Sequence, residues 1–114
     1  MNEIEPLEKN LTSAPPIKSG LSLQQAIEFG EYDPKYLDNF AEWHTLSVHV
    51  QWQLIRKALN NRHSQLIIQY AELNNVLDLR LKPDVQQAMK NVEKQLKVFE
   101  KNRERLYVEY SKKL

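Results

Sequence analysis

The last thirty residues constrain the fold more than anything else in the chain. Val85, Met89, Val92, Leu96, Phe99, Arg103, Leu106 and Tyr110 follow one another in alternating steps of four and three, and all but Arg103 are apolar. An apolar residue every 3.5 positions, on average, lays one continuous stripe along a helix, the stripe by which it packs on another helix. Neither Gly nor Pro follows Pro83, so nothing in the segment interrupts helical hydrogen bonding. The preceding segment offers a matching stripe in Ile55, Leu59, His63, Leu66, Tyr70, Leu73 and Leu77. Only a few residues around Leu81 to Asp84 separate the two, and so short a connection makes consecutive helices antiparallel neighbours. The chain is therefore expected to be all-α, an antiparallel, coiled-coil-like helical hairpin.

The extent of the first helix is less directly written. Asp33-Pro34 is a strong start signal, with Asp as the cap and Pro at the first helical position. From Lys35 to Lys82 there is no Gly or Pro, which predicts a very long helix over 34–81 followed by a second over 84–112. The second helix, about 45 Å long at 1.5 Å per residue, reaches back along its partner only to about residue 51. Residues 34–50 must then project beyond the hairpin or fold back. Asn60 to Gln65 is an unbroken polar run, and a break near 60–64 would give a three-helix bundle. The stripe stays in phase across it at 59, 63 and 66, which favours one continuous helix. Leu46, Val48, Val50 and Trp52 alternate with polar residues in strand period, but a lone strand has no partner, so the stretch reads as helix with two apolar faces.

Upstream, Ser22 and Gln25 have the spacing of a capping box, and Gly30 suits the left-handed residue that closes a helix, so a short helix is expected over 22–29. Residues 1–20, with Pro6, Pro15 and Pro16 and no hydrophobic period, read as a flexible, disordered acidic tail. The remainder, 21–114, reads as a single helical domain.

Composition narrows the chemistry. There is no Cys, which removes disulfides, thiolate metal sites and cysteine nucleophiles. Gly20 and Gly30 are the two glycines, too few for a phosphate-cradling glycine loop. The longest aliphatic run is Leu66-Ile67-Ile68, far short of a membrane span, and the first residues lack the apolar core of a signal peptide. A cytoplasmic protein is expected. His44, His49 and His63 are spaced by five and fourteen positions, so no pair occupies adjacent helical turns as ligands of a helical zinc or iron site do. No catalytic residue, metal ligand or cofactor is expected, and the chain does not read as an enzyme.

Two surfaces could carry a function. Val48, Trp52 and Ile55 point along the hairpin stripe, while Trp43, Leu46, Val50 and Leu54 lie about opposite if the whole stretch is helical. No acid occurs between Glu42 and Glu72. That second apolar face is either a contact surface anchored by Trp43 or the seat of the short helix over 22–29. The other surface is a row of cations, Lys90, Lys94, Lys97, Lys101 and Arg105, within about 80° of one another and opposite the apolar stripe. Glu93, Glu100 and Glu104 flank the row and could neutralise it through pairs such as Glu93–Lys97. Charge is also unevenly shared: residues 1–42 hold eight acids and three bases, whereas 43–114 hold seven acids and thirteen bases. These features predict a small helical protein–protein interaction or regulatory, adaptor-like module, self-associating as a homodimer or binding a protein partner. The alternative is an accessory nucleic-acid-binding protein that uses the cationic row.

Overall fold

A computed structural model describes residues 20–75 and 82–114. Its elements are α1 (Leu23–Glu28), α2 (Pro34–Leu37), a 3₁₀ helix (Ala41–Thr45), α3 (Val48–Asn74) and α4 (Pro83–Lys113). Among the described residues there is no strand, and the two long helices pack together. The tail expected over 1–20 lies, apart from Gly20, outside the described residues, as do Leu77 and the end of the helix connection through Leu81. The chain divides into two compact units, the first through Asn61 and the second from Arg62 to Leu114. The division falls inside α3.

In the first unit, side-chain caps begin the short helices, and a glycine closes the first of them. Ser22 Oγ accepts from the Gln25 amide at 3.0 Å, and Gln25 Oε1 accepts from the Ser22 amide at 2.9 Å. These reciprocal bonds satisfy two amides that the first turn leaves free. Gly30 closes α1 at φ +88°. Its amide bonds to the Ile27 carbonyl and the Glu31 amide to the Ala26 carbonyl, both at 3.0 Å, the paired pattern of a Schellman ending. Asp33 Oδ1 accepts from the Lys35 amide at 3.1 Å and caps α2, with Pro34 in the first turn.

The helix expected over 34–81 is not one helix, and the interruption is not at 60–64. It falls at 38–47. Asn39 turns its side-chain amide onto the carbonyls of Lys35 at 3.4 Å and Tyr36 at 3.0 Å, ending α2. Ser47 Oγ then accepts from the Val50 amide at 3.2 Å, starting α3 as its cap. Asp, Asn and Ser compete with the helix for its own backbone groups, so a segment free of Gly and Pro is broken by side-chain hydrogen bonds instead. Leu46, expected to be helical, is extended at φ −90°, ψ 147°. The polar run Asn60–Gln65 stays helical within α3. Residues 34–47 take the fold-back alternative, the Trp43 carbonyl accepting from Gln51 Nε2 at 2.8 Å, and α1 is tied down as well, the Ile27 carbonyl accepting from Asn61 Nδ2 at 3.1 Å. Both bonds tie the short elements to the first half of α3.

The second unit is the helix pair. Tyr70 bonds to Glu93, and the His63 ring stacks on Phe99. Moving back seven residues along α3 advances six along α4, which fixes an antiparallel register. In α4, Val92, Phe99, Leu106 and Tyr110 are buried, and Val85, Met89, Leu96 and Arg103 are half-buried. All eight stripe positions thus face inward to some degree. Arg103 keeps its charge at the edge and lays its guanidinium 5.2 Å from the centre of the Phe99 ring, a cation–π contact that accommodates a cation in an apolar row.

Candidate interaction surfaces

Trp43 is not the anchor of a free helix face. It sits on the 3₁₀ helix, 2 % exposed, while Val50 and Leu54 belong to α3. Leu46 and Leu54 are half-buried, and Val50 remains exposed at the start of α3. The four residues expected to form one partner-binding stripe are therefore split between two elements. The strongest of them is buried within its own unit, whose core also holds Leu23, Ile27, Leu37 and Phe40. Two apolar faces on one stretch arise here because short helices fold back onto it.

The histidines do not converge. The His44 ring nitrogen lies 2.7 Å from the Asp38 carbonyl oxygen, His49 is exposed, and His63 stacks on Phe99 with ring centroids 5.4 Å apart and planes 6° from parallel. Among the described residues no group of three His, Cys, Asp or Glu side chains could hold a metal ion. No helix of the described residues is long and apolar enough to cross a membrane.

A different apolar surface emerges in the second unit. Ile67 and Ile68 are 46 % and 56 % exposed. At 100° per residue, Ile67 and Ala71 on α3 lie to one side of the stripe. In the antiparallel register, Met89 and Leu96 on α4 lie to that same side, and both are half-buried. The flank of the helix pair is thus apolar, with Ile68 continuing it onto the outer face of α3. The sequence held a signal for this patch. Three consecutive aliphatic residues in a helix span about 200° of its circumference, so Leu66 fills the stripe and its two followers cannot.

The cationic row is where the spacing puts it. Lys90, Lys94, Lys97, Lys101 and Arg105 are all exposed, directed away from the buried stripe. Lys112 extends the row, and with Lys101, Glu104, Arg105, Val108 and Glu109 it lines a shallow, open depression along α4. The expected partner of Lys97 is otherwise engaged: Glu93 Oε2 accepts a hydrogen bond from the Tyr70 hydroxyl at 3.1 Å. That bond to a carboxylate raises the pKa of the exposed Tyr70 phenol, and the negative charge of Glu93 adds to it.

No family model, curated protein or solved structure matches this chain.

Proposed function

We infer that this chain is a helical protein-interaction module, and that its docking surface is the apolar flank of the helix pair rather than the face around Trp43. The observation that carries this reading is the exposure of two adjacent isoleucines, Ile67 and Ile68, beside half-buried Met89 and Leu96. A two-helix unit buries one stripe from each helix, and large side chains next to that stripe stay wet until another surface covers them. The fitting partner is a second copy of the chain. Two helical hairpins that share such flanks form a four-helix bundle, and a two-fold pair uses the same patch from both partners.

Charge selects the arrangement. On this side of α4 the edge of the flank is acidic, with Glu93, Glu100 and Glu104, whereas α3 has no acid before Glu72. A two-fold axis along the helices sets α4 of one copy against α3 of the other and separates the acidic edges. An axis across them opposes α4 with α4 and brings like charges together, which is unfavourable. Light scattering across a range of protein concentrations tests the reading. The native chain should run at twice its monomer mass, and Ile67→Lys with Ile68→Lys should run as a monomer of unchanged helix content by circular dichroism. A native chain that is monomeric throughout, with a melting temperature independent of concentration, would refute it.

A further inference from the structure

We propose that the exposed cationic row of α4 is a docking site for duplex nucleic acid, contacting the phosphodiester backbone without reading sequence. Lys90, Lys94, Lys97, Lys101 and Arg105 follow one another at three- and four-residue steps on one continuous helix. At 1.5 Å per residue they rise along the axis by about 4.5 to 6 Å each and span about 23 Å from first to last. Lys112 lengthens the row to about 33 Å. Within its sector there is no acid. Glu100 and Glu104 lie to one side and Glu109 to the other, and Glu93 is held by Tyr70.

A straight, rigid line of positive charge, one side chain wide, selects among polyanions. An anionic membrane holds a basic helix that also sinks an apolar face into it. The apolar face of α4 is occupied, with Val92, Phe99, Leu106 and Tyr110 buried. Single strands are gripped by aromatic side chains on which bases stack, and the row contains none; its apolar member is Val108. A duplex asks for neither. Each of its strands presents one phosphate for about every 3.4 Å of the duplex axis, so several cations of the row meet phosphates whatever the register, and the contact carries no sequence information.

Anisotropy of a fluorescent DNA duplex of about 20 base pairs, titrated with the full chain, reads the proposal through counterion release. With three to five phosphates engaged, log affinity should fall against log salt with a slope of about −2.7 to −4.5, a loss of roughly 40- to 500-fold between about 50 and 200 mM salt. Lys94→Glu with Lys101→Glu should weaken binding at least tenfold with the circular dichroism spectrum unchanged. If that pair disturbs folding, Lys94→Gln with Lys101→Gln is read in its place, and the salt slope of the native chain stands without either. Four results would overturn the proposal: no duplex binding at the lowest salt, a slope near zero, undiminished binding by the folded charge variants, or tighter binding to the single strand or to phosphatidylglycerol vesicles than to the duplex. The chain with Ile67→Lys and Ile68→Lys keeps every cation of the row and should retain duplex binding with a steep salt slope, so loss of self-association and loss of this site are separable.

Discussion

The two compact units are built on different principles. Through Asn61, the chain makes short helices of six and four residues and a 3₁₀ helix of five before α3 begins. Segments that short are not stable by themselves. What holds them is a set of side-chain-to-backbone bonds at Ser22, Asp33 and Asn39. A core rich in aromatics does the rest, with Tyr36 and Phe40 meeting edge to face at 5.9 Å. From Arg62 onward, the second unit repeats one arrangement along two long helices, and its order comes from a stripe of apolar residues. One unit is specified residue by residue, the other by period. Substitutions should therefore act very unevenly in the first unit.

The largest effect should come from Trp43. It is almost wholly buried, so Trp43→Ala removes a bulky core side chain and should cost about 3–5 kcal/mol in denaturant unfolding. Val50, which a continuous helix would have put on the same face, is exposed, and Val50→Ala should stay within about 0.5 kcal/mol. Comparable losses for the two would restore the single apolar face.

That contrast marks where the sequence could be read. The stripe of α4, its antiparallel partner and the exposed cations are all legible from spacing, because a helix converts spacing into direction without help from its surroundings. The capping box at Ser22 and the stop at Gly30 are legible for a similar reason, since both act within one turn. The interruption at 38–47 was not. It depends on Asn39 and Ser47 using their side chains against the helix, and the same residue types at Asn60 and Asn61 do not break α3. Asn61 spends its amide on the Ile27 carbonyl, 34 positions away in sequence, and only the folded unit supplies that acceptor. The candidate site divides in the same way. The cationic row and the surplus aliphatic residues Ile67 and Ile68 are local patterns, whereas the burial of Trp43 depends on which elements the fold brings over it.

Tyr36 gives the next effect and reverses its sign. Its ring is buried in the first unit, and its hydroxyl is enclosed with no hydrogen-bond partner among the described residues. An enclosed polar group without a partner costs about 1–3 kcal/mol. Tyr36→Phe should therefore stabilise the chain, by about 1 kcal/mol after some repacking. Alkaline pH adds a second signature. Burial, and then the negative charge of Glu31, raise the phenol above its ordinary value of 10.0. The unfolded chain loses this proton first, so the native protein loses stability as pH climbs past that value. The variant has no such proton, and the gap between the two unfolding curves should widen there. A gap that is constant with pH would mean that the hydroxyl is solvated.

The smallest effects bear most directly on how the two units differ, because they concern matched positions. Asp33-Pro34 opens α2 and Lys82-Pro83 opens α4. Asp33 caps its helix through its carboxylate, while Lys82 makes no side-chain capping bond. A short helix cannot spare the cap; a helix of 31 residues with a buried stripe can. Removing a cap from the first unit with Ser22→Ala should cost about 1 kcal/mol. Supplying one to the second with Lys82→Asp should gain roughly 0.5–1 kcal/mol, since the new carboxylate also meets the positive end of the helix. Asp84 in the same turn will reduce the gain by repulsion, so Lys82→Ser, which adds an acceptor without charge, separates the hydrogen bond from the charge. If Lys82→Ser stabilises and Lys82→Asp does not, repulsion from Asp84 outweighs both the charge–dipole attraction and the cap. If neither stabilises, the amides at the start of α4 are already satisfied, and the two units begin their helices equally well.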